Sequence, residues 1–297
     1  MKSRLCLNAN SPLEAYREAF ERYRQTYEIA DLQERLARMR EMPSLWESCF
    51  SRLWQIAETP DVEVWHALGE CFQGGWGTNA NREEGMRWFQ RAAEAGHTQS
   101  MTRLGTMLQF QKPPGSAERA IAWFLRAAAL GDSYGMVRLG FTYRDGHGVA
   151  IDSAEALRWF IKAVEAGDGH SMIFVGRIYR SALVSPTEAV KWFLRAAKAG
   201  FSESHIELAM LYDDQKSPVR DPAEAVKWYH VVADGPGGNK PRAMLALARH
   251  YRDGIGTLRS PEIAKTWLQR LLRAAPEKSP FRKEATTLLQ QIQGDLL

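Results

Sequence analysis

Residues 139–167 read LGFTYRDGHGVAIDSAEALRWFIKAVEAG, and the parts of this phrase return along the chain. Its YRDGHGV at 143–149 reappears as YRDGIGT at 251–257 and as FQGGWGT at 72–78. Tyr143 and Tyr251 lie 108 residues apart, which is three periods of 36. The closing WFIKAVEAG has counterparts in WFQRAAEAG, WFLRAAALG, WFLRAAKAG and WYHVVADG. A fixed period of this length is typical of repeat arrays, so repeats are predicted to build the fold.

Six tryptophans follow the same period, with separations of 35, 36, 33, 36 and 39 residues. They are Trp88, Trp123, Trp159, Trp192, Trp228 and Trp267. A small residue stands three positions before each tryptophan, and small or apolar residues stand four and five positions after it. This spacing predicts a helix with one buried stripe that contains the indole. The tryptophans are therefore predicted to be core wedges between helices.

The first helix of several repeats carries a leucine-glycine step with an aromatic residue three positions on, as in Leu139, Gly140 and Tyr143, and later copies replace the glycine with Ala209 and Ala248. A small residue at this step lets a neighbouring helix approach closely. The second helices have predicted start signals seven residues before each tryptophan: Asn81, Ser116, Asp152, Ser185, Asp221 and Ser260. Three prolines suit the first helical position, namely Pro186, Pro222 and Pro261. Four glycines suit the left-handed stop after the helix, namely Gly96, Gly131, Gly167 and Gly200.

The loop YRDGHGV has the composition of a ligand site, because Asp145 and His147 could bind a metal and glycine N–H groups could hold a phosphate. Its recurrence between the helices of several repeats favours a turn instead. We expect Gly146 and Gly148 to supply positive φ in a tight interhelix turn, and we assign no ligand role to His147.

The phrase of residues 139–167 resembles the Sel1-like repeat, a relative of the tetratricopeptide repeat. The resemblance is specific in repeats 1, 3 and 4, recognisable in repeats 2, 5 and 6, and covers about residues 61–275. It implies an all-α fold: a right-handed α-solenoid of helix-turn-helix repeats whose concave face holds other proteins. Members of the family are adaptors and regulators, and some bacterial members are immunity proteins or virulence factors.

The ends of the chain are predicted to cap the array. Residues 1–60 form an N-terminal helical cap with a degenerate half-repeat at 44–57, residues 61–275 form six repeats, and residues 276–297 form a C-terminal capping helix. In the N-terminal cap, a capping box at Ser11 and Glu14 starts one helix, and a second helix is expected to end before Pro43. The total is fifteen or sixteen helices and no strands.

Composition and motifs exclude several classes of function. The 39 basic and 35 acidic residues leave a net charge of only +4, so nucleic acid is not an expected partner. No apolar run is long enough to insert in a membrane. Cys6, Cys49 and Cys71 do not form a disulfide framework, which predicts free thiols and a cytoplasmic location, unless a leader was removed. The chain lacks His-x-x-Glu-His, Cys-x-x-Cys and Gly-x-Ser-x-Gly, so we expect no enzyme, no cofactor and no metal site.

Two functions remain open. The first is a scaffold or adaptor that binds a partner protein in its concave groove, and the alternative is a dedicated immunity-type inhibitor that blocks one toxic enzyme. An inhibitor is expected to hold one partner at nanomolar strength, whereas an adaptor can hold several weakly.

The groove is expected to be lined by three positions of each first helix: two before the leucine, one after the glycine and four after it. The first two repeats place polar residues there, namely His66, Glu70, Gln73, Thr102, Thr106 and Gln109. Later repeats combine apolar residues with five arginines, which suits an acidic, partly apolar protein segment. The predicted partner-binding residues are Val137, Phe141, Arg144, Ile173, Arg177, Arg180, Ile206, Met210, Leu245, Arg249 and Arg252. The alternative is that these arginines pair with acids on adjacent helices.

Overall fold

A computed structural model describes residues 11–28, 32–110, 114–236 and 238–294. Over these residues the chain forms fifteen α-helices and no strand, as predicted. The helices are α1 (Pro12–Glu28), α2 (Leu32–Gln55), α3 (Val62–Gly74), α4 (Arg82–Glu94), α5 (Thr98–Gln109), α6 (Ser116–Ala129), α7 (Ser133–Asp145), α8 (Ser153–Glu165), α9 (Ser171–Ser181), α10 (Pro186–Lys198), α11 (Glu203–Asp213), α12 (Pro222–Asp234), α13 (Lys240–Asp253), α14 (Pro261–Ala274) and α15 (Pro280–Gly294).

The chain divides into two compact units, Met1–Asp152 and Ser153–Leu297. The first unit contains α1 to α7 and the second contains α8 to α15. Within each unit, helices that follow one another in the sequence pack side by side. Each unit is therefore stabilised by contacts between neighbours, as in other repeat proteins.

Three of the predicted start signals make the expected capping bond, whereas Ser116 and Ser185 do not. Asn81, Asp221 and Ser260 accept hydrogen bonds from backbone N–H groups in the first turns of α4, α12 and α14. Ser116, by contrast, is not a cap: Gly115 takes the position before α6 with φ 79°, and Ser116 begins the helix. Ser185 precedes α10 but makes no capping bond with its side chain. Such bonds stabilise a helix by about 1 kcal/mol each, because they satisfy otherwise unpaired N–H groups.

The buried stripe of each second helix runs through the residue after the tryptophan, which corrects the sequence-based interpretation. The largest side chains with no exposed surface are the phenylalanines Phe89, Phe124, Phe160 and Phe193. Of the six tryptophans, only Trp88 and Trp267 are buried, and the other four are half-buried. In α8 the stripe is Ala156, Phe160 and Ala163, which are four and three residues apart and share one helix face. Trp159 lies beside this stripe rather than in it.

Basic side chains cover the indoles at the edge of the stripe. Lys162 Nζ lies 4.3 Å from the ring centroid of Trp159, and the guanidinium of Arg126 lies 4.4 Å from that of Trp123. In both helices the basic residue comes three positions after the tryptophan, which places it on the same side of the helix. These contacts are cation–π interactions at a partly exposed surface.

The small residue of the first helix receives the phenylalanine ring of the second, which confirms the expected close approach. A Cβ atom on Gly176 would lie 2.5 Å from Cε1 of Phe193. The equivalent distance is 2.5 Å from Gly105 to Phe124 and 2.7 Å from Gly69 to Phe89. Real Cβ atoms do not come this close to carbon, so only glycine permits this packing without a shift.

Each of the three Gly-x-Gly loops within repeats packs against the helix that precedes its repeat. Gly146 and Gly148 have φ of 75° and 79°, as expected for the turn. A Cβ on Gly148 would lie 2.4 Å from Cβ of Ala117, at the start of α6 in the preceding repeat. The same contact recurs from Gly256 to the Pro222 carbonyl and from Gly77 to the Trp46 carbonyl.

The N-terminal helices differ from the prediction at one point. Helix α2 does not end before Pro43 but continues through it to Gln55. A proline inside a helix removes a hydrogen bond and costs about 3 kcal/mol. Trp46, Cys49 and Leu53 beyond Pro43 are buried in one apolar cluster with α1 and α3, and this packing offsets the cost.

The capping box of α1 is confirmed. Ser11 N donates to Glu14 Oε2 at 3.0 Å and Glu14 N donates to Ser11 Oγ at 3.1 Å. At the other end of the chain, Ala285, Leu288 and Ile292 form the buried face of α15 and join the cluster of α13 and α14. The capping roles of residues 1–60 and 276–297, and the reading of 44–57 as a decayed repeat, stay predictions. Cys49 and Cys71 are buried and form no disulfide, and Cys6 lies outside the described residues.

Candidate protein-binding face

Polar side chains bridge successive first helices within each unit, and we call the surface that they form the first-helix face. In the first unit it is formed by α3, α5 and α7, and in the second unit by α9, α11 and α13. A residue just after the leucine-glycine step of one repeat contacts the residue just before the leucine of the next. The contacting residues are about 30 positions apart, so no local sequence pattern reveals them.

In the first unit the bridge centres on Glu70 of α3. Arg103 of α5 donates to Glu70 Oε1 at 3.3 Å, and the Tyr16 hydroxyl of α1 donates to Oε2 at 2.5 Å. Burial and the neighbouring Glu70 carboxylate both raise the pKa of Tyr16, so its hydroxyl stays protonated and donates. One repeat further, Arg138 donates to Gln109, whose amide donates to Thr142 at 3.2 Å.

Two histidines and a serine lie beneath this bridge. His66 Nδ1 is 2.8 Å and His97 Nδ1 is 2.9 Å from Ser100 Oγ, and the two rings are 4.5 Å apart. His97 Nδ1 accepts from the backbone N–H of Ser100, so it carries no proton. The Ser100 hydroxyl therefore donates to His97 Nδ1 and accepts from the Nδ1–H of His66. Burial, with a smaller effect from the neighbouring His97 and Arg103, lowers the pKa of His66 to about 3. Ser100 has no exposed surface, so this arrangement is structural and out of reach of a substrate.

In the second unit, two arginines hold one buried acid. Arg177 Nε donates to Glu207 Oε1 at 2.6 Å, and Arg180 donates to Glu207 Oε2. Glu207 is only 4% exposed, whereas the two arginine side chains are 41% and 34% exposed. The acid is therefore fully used within the protein, while part of each guanidinium still faces solvent.

The other arginines of the predicted site are also paired with acids. Arg249 of α13 contacts Glu284 of α15, and both side chains are about half exposed. Arg252 donates to the carboxylate of the adjacent Asp253 at 2.6 and 2.7 Å. Arg144 in the first unit holds Asp145 in the same way, at 2.7 and 2.9 Å. In both pairs the hydrogen bond from arginine lowers the pKa of the aspartate.

A buried pair also links Asp213 of α11 to α13. His250 Nε2 lies 3.0 Å from Asp213 Oδ1, and the Tyr229 hydroxyl donates to Asp213 at 3.0 Å. His250 Nδ1 contacts the Ile255 carbonyl at 2.7 Å. Burial lowers the pKa of His250, but the bonds to Asp213 and Ile255 outweigh it, so the net shift is upward.

The structure divides the predicted site residues into two groups. Val137, Ile173, Ile206 and Leu245 are buried, with at most 8% of each exposed, so they pack in the core and cannot meet a partner. These residues stand two before the leucine, a position that points inward. Those with accessible surface are Phe141 and Arg144 in the first unit, and Arg177, Arg180, Met210, Arg249 and Arg252 in the second. Sequence reasoning missed Glu207 and Glu284, whose only signal is an opposite charge 30 or 35 residues after an arginine.

Two further observations concern metal binding and membrane insertion. Within the described parts of the chain, no group of three or more His, Cys, Asp or Glu side chains could hold a metal ion. His147, the metal candidate of the loop, packs edge-on against Phe110 with ring centroids 6.0 Å apart. None of the described helices has the length and apolar character needed to cross a membrane.

Helix pairs of this period, joined by glycine turns and stacked through small residues, define an all-α repeat protein of the solenoid class. The Sel1 repeat is matched six times, at residues 66–97, 98–132, 133–168, 170–201, 202–234 and 241–274. The chain belongs to the Sel1 repeat family, as its sequence indicated, and a role in protein interaction is typical of that family. Comparison with curated proteins gives no match.

Solved structures agree on the fold. The chain is similar to c5321, a protective antigen of uropathogenic Escherichia coli that displays an SLR fold, with 20% identity and a TM-score of 0.67. That alignment covers 98% of this chain and 58% of the antigen, so the chain spans little more than half of that relative. A Sel1 repeat protein from Oxalobacter formigenes is 22% identical with a TM-score of 0.60, and 90% of this chain covers 99% of it. The predicted fold class is confirmed.

Proposed function

We propose that the chain is a non-enzymatic scaffold that binds a partner protein, and that the first-helix face of the second unit takes an acidic segment of that partner. One observation carries the proposal. Arg177, Arg180, Arg249 and Arg252 keep 30–51% of their side chains exposed although an acid of the protein holds each of them.

Pairing and binding are compatible because a guanidinium has five N–H donors, and a carboxylate that it holds uses only one or two of them. The acid also orients the arginine before a partner arrives. Less side-chain entropy is then lost when a partner carboxylate binds, which strengthens the interaction. Arginine forks match carboxylates in geometry, so an acidic segment is the partner chemistry that this face favours.

The apolar part of the proposed surface is smaller than the sequence suggests. Met210 contributes a half-buried thioether side chain to the second unit, while Ile173, Ile206 and Leu245 only shape the surface from below. In the first unit, Phe141 lies under the guanidinium of Arg144 at 4.7 Å and offers the same combination of ring and charge. We propose this pair as a partner-binding surface of the first unit by itself.

The test removes charge from one face of the protein at a time. The site variant is Arg249→Gln with Arg252→Gln. The matched control is Lys191→Gln with Lys227→Gln, because these lysines pair with glutamates on second helices and are about 70% exposed. All four ion pairs lie at the surface, with 30–70% of each side chain exposed, so neither variant should lose more than about 1 kcal/mol of stability.

Affinity capture from the native cell with mass spectrometry identifies the partner, and titration calorimetry then compares the three proteins. The site variant should bind roughly 10- to 100-fold more weakly, and the control should bind like the parent. Equal losses in the two variants would show a general charge effect, and no loss in the site variant would place the interface elsewhere.

The same titration separates the two roles that the sequence left open. One partner held with a nanomolar or lower Kd indicates an inhibitor, and several partners held weakly indicate an adaptor. Cytoplasmic location stays part of the proposal, and the buried thiols of Cys49 and Cys71, which form no disulfide, support it.

A further inference from the structure

An open pocket of about 540 Å³ lies in the first unit, between α1, α2 and the loop after α3. Its size falls within the range of pockets that bind small molecules or single side chains. It is lined by Tyr23, Met42, Pro43, Trp46, Glu47, Gly75, Trp76, Gly77, Thr78 and Asn79. None of these residues belongs to the first-helix face or to the proposed partner surface.

Aromatic rings form the inner wall of this pocket. Trp46 and Trp76 stack with centroids 5.1 Å apart and planes at 19°, and Tyr23 lies 6.5 Å and 5.9 Å from them. Trp46 is 4% exposed, whereas Tyr23 and Trp76 are half-buried and so partly accessible to solvent.

The repeat architecture explains why Trp76 reaches this place. Gly77 packs so closely on the Trp46 carbonyl that a Cβ there would lie 2.1 Å from the oxygen. This contact brings the middle residue of the Gly-x-Gly loop against the preceding helix. The other two such loops carry His147 and Ile255 at the same position, so the large flat ring is particular to the first repeat.

The described part of the pocket lining carries one charge, and it is negative. Among the described lining residues Glu47 is the single charged one, it is exposed, and it forms no ion pair with any described side chain. The neighbouring polar groups are Thr78 and Asn79. Aromatic faces attract cations through their negative π clouds, and a carboxylate at the rim adds a second attraction.

We propose that this pocket binds the guanidinium of an arginine side chain presented by a partner protein. A planar guanidinium stacks on an indole and forks onto a carboxylate at the same time, which a lysine ammonium does not do. The protein itself shows the stacking, since the guanidinium of Arg91 lies 4.3 Å above the ring of Trp65. Trp76 and Tyr23 supply the faces, and Glu47 supplies the counter-charge.

A pair of short probes tests the proposal without knowledge of the partner. The probes are the peptides acetyl-Gly-Arg-Gly-amide and acetyl-Gly-citrulline-Gly-amide, which differ in charge and hardly in shape. Each is titrated into the full chain to about 10 mM while NMR follows the indole N–H signals. The arginine peptide should shift the signals of Trp46 and Trp76 with a millimolar Kd, and the citrulline peptide should bind at least tenfold more weakly.

Three variants complete the test. Glu47→Gln should weaken arginine binding to the level of citrulline, whereas the matched control Glu58→Gln, which removes a 91% exposed carboxylate elsewhere in the unit, should not. Trp76→Ile, which copies the sixth repeat, should abolish binding of both peptides. Equal binding of the two peptides, unchanged arginine binding by Glu47→Gln, or no saturable shift would each overturn the proposal. Arg249→Gln with Arg252→Gln should leave peptide binding intact, so this test and that of the proposed function fail independently.

Discussion

The contact between Gly176 and Phe193 tests the packing, because it predicts that Gly176→Ala destabilises the parent protein but stabilises a variant that lacks the Phe193 ring. A Cβ on Gly176 would lie 2.5 Å from the Phe193 ring, and Phe193 has no exposed surface into which it could move. Gly176→Ala should therefore lower the free energy of unfolding by about 1–3 kcal/mol through overpacking. In an unobstructed helix the same substitution would stabilise by about 1 kcal/mol, because alanine is the better helix former.

Removing the ring should reverse the effect. Phe193→Ala by itself is expected to cost about 3–5 kcal/mol, since it empties a fully buried aromatic site. In that background the new methyl group on residue 176 enters vacated space, so Gly176→Ala should become stabilising by up to about 1 kcal/mol. The two backgrounds should thus differ by about 2 kcal/mol or more, a coupling typical of residues in direct contact.

The assay is urea unfolding followed by far-ultraviolet circular dichroism for the parent, the two single variants and the double variant. Midpoints are compared at a shared slope, because the slope reports the surface exposed on unfolding. Trp192→Ala is the control, because it truncates a half-buried ring that is next to Phe193 in the sequence but lies outside the buried stripe. If Gly176→Ala has the same sign in both backgrounds, or if the two effects add within about 0.5 kcal/mol, the assigned wedge is wrong.

Three other predictions address the stripe, the buried histidine and the turn. Phe160→Ala should destabilise by about 3–5 kcal/mol and Trp159→Ala by clearly less, and the reverse order in thermal melts would restore the tryptophan as the wedge. The pKa of His66 is about 3 in the folded protein and near 6.5 in the unfolded chain, so the unfolded chain takes up a proton first as the pH falls. The free energy of unfolding should therefore decrease with pH, and this group should contribute a loss of about 2 kcal/mol at pH 5. His66→Gln should remove that part of the pH dependence, and parallel stability curves from pH 7 to 5 would contradict it. Gly146→Val should lower stability by about 1 kcal/mol or more because φ at this position is 75°. His147→Ala should have the melting temperature of the parent. Metal-dependent stabilisation that is lost in His147→Ala would show instead that the loop is a ligand site.

Local patterns predicted the helices well. The capping bonds of Asn81 and Asp221 and the glycine stop signals each involve residues within one helix or turn. Such signals act over a few positions, so a single sequence displays them directly. Helix α2 is the instructive exception, because the local effect of Pro43 is outweighed by the packing of Trp46, Cys49 and Leu53 on other helices.

Burial within the Trp-Phe pair was not predictable in the same way. Small residues flank both members of the pair at helical spacing, so the pattern allows either ring to lie in the stripe. Adjacent residues point about 100° apart on a helix, and the position of the neighbouring helix selects one of them. The phenylalanine lies opposite the glycine, and the tryptophan beside it is covered by a basic residue instead.

The sequence by itself determined the repeat, its family, the order of the helices and the turns that join them, because all of these depend on the spacing of nearby residues. The tertiary structure alone decided which candidate site residues reach the surface, which acids hold the arginines, and where Trp76 meets Trp46 and Tyr23. The pairs Arg177–Glu207 and Arg249–Glu284 and the stacking of Trp46 on Trp76 each join residues 30 or more positions apart. They depend on how closely two helices approach, and a periodic pattern in one chain does not specify that distance.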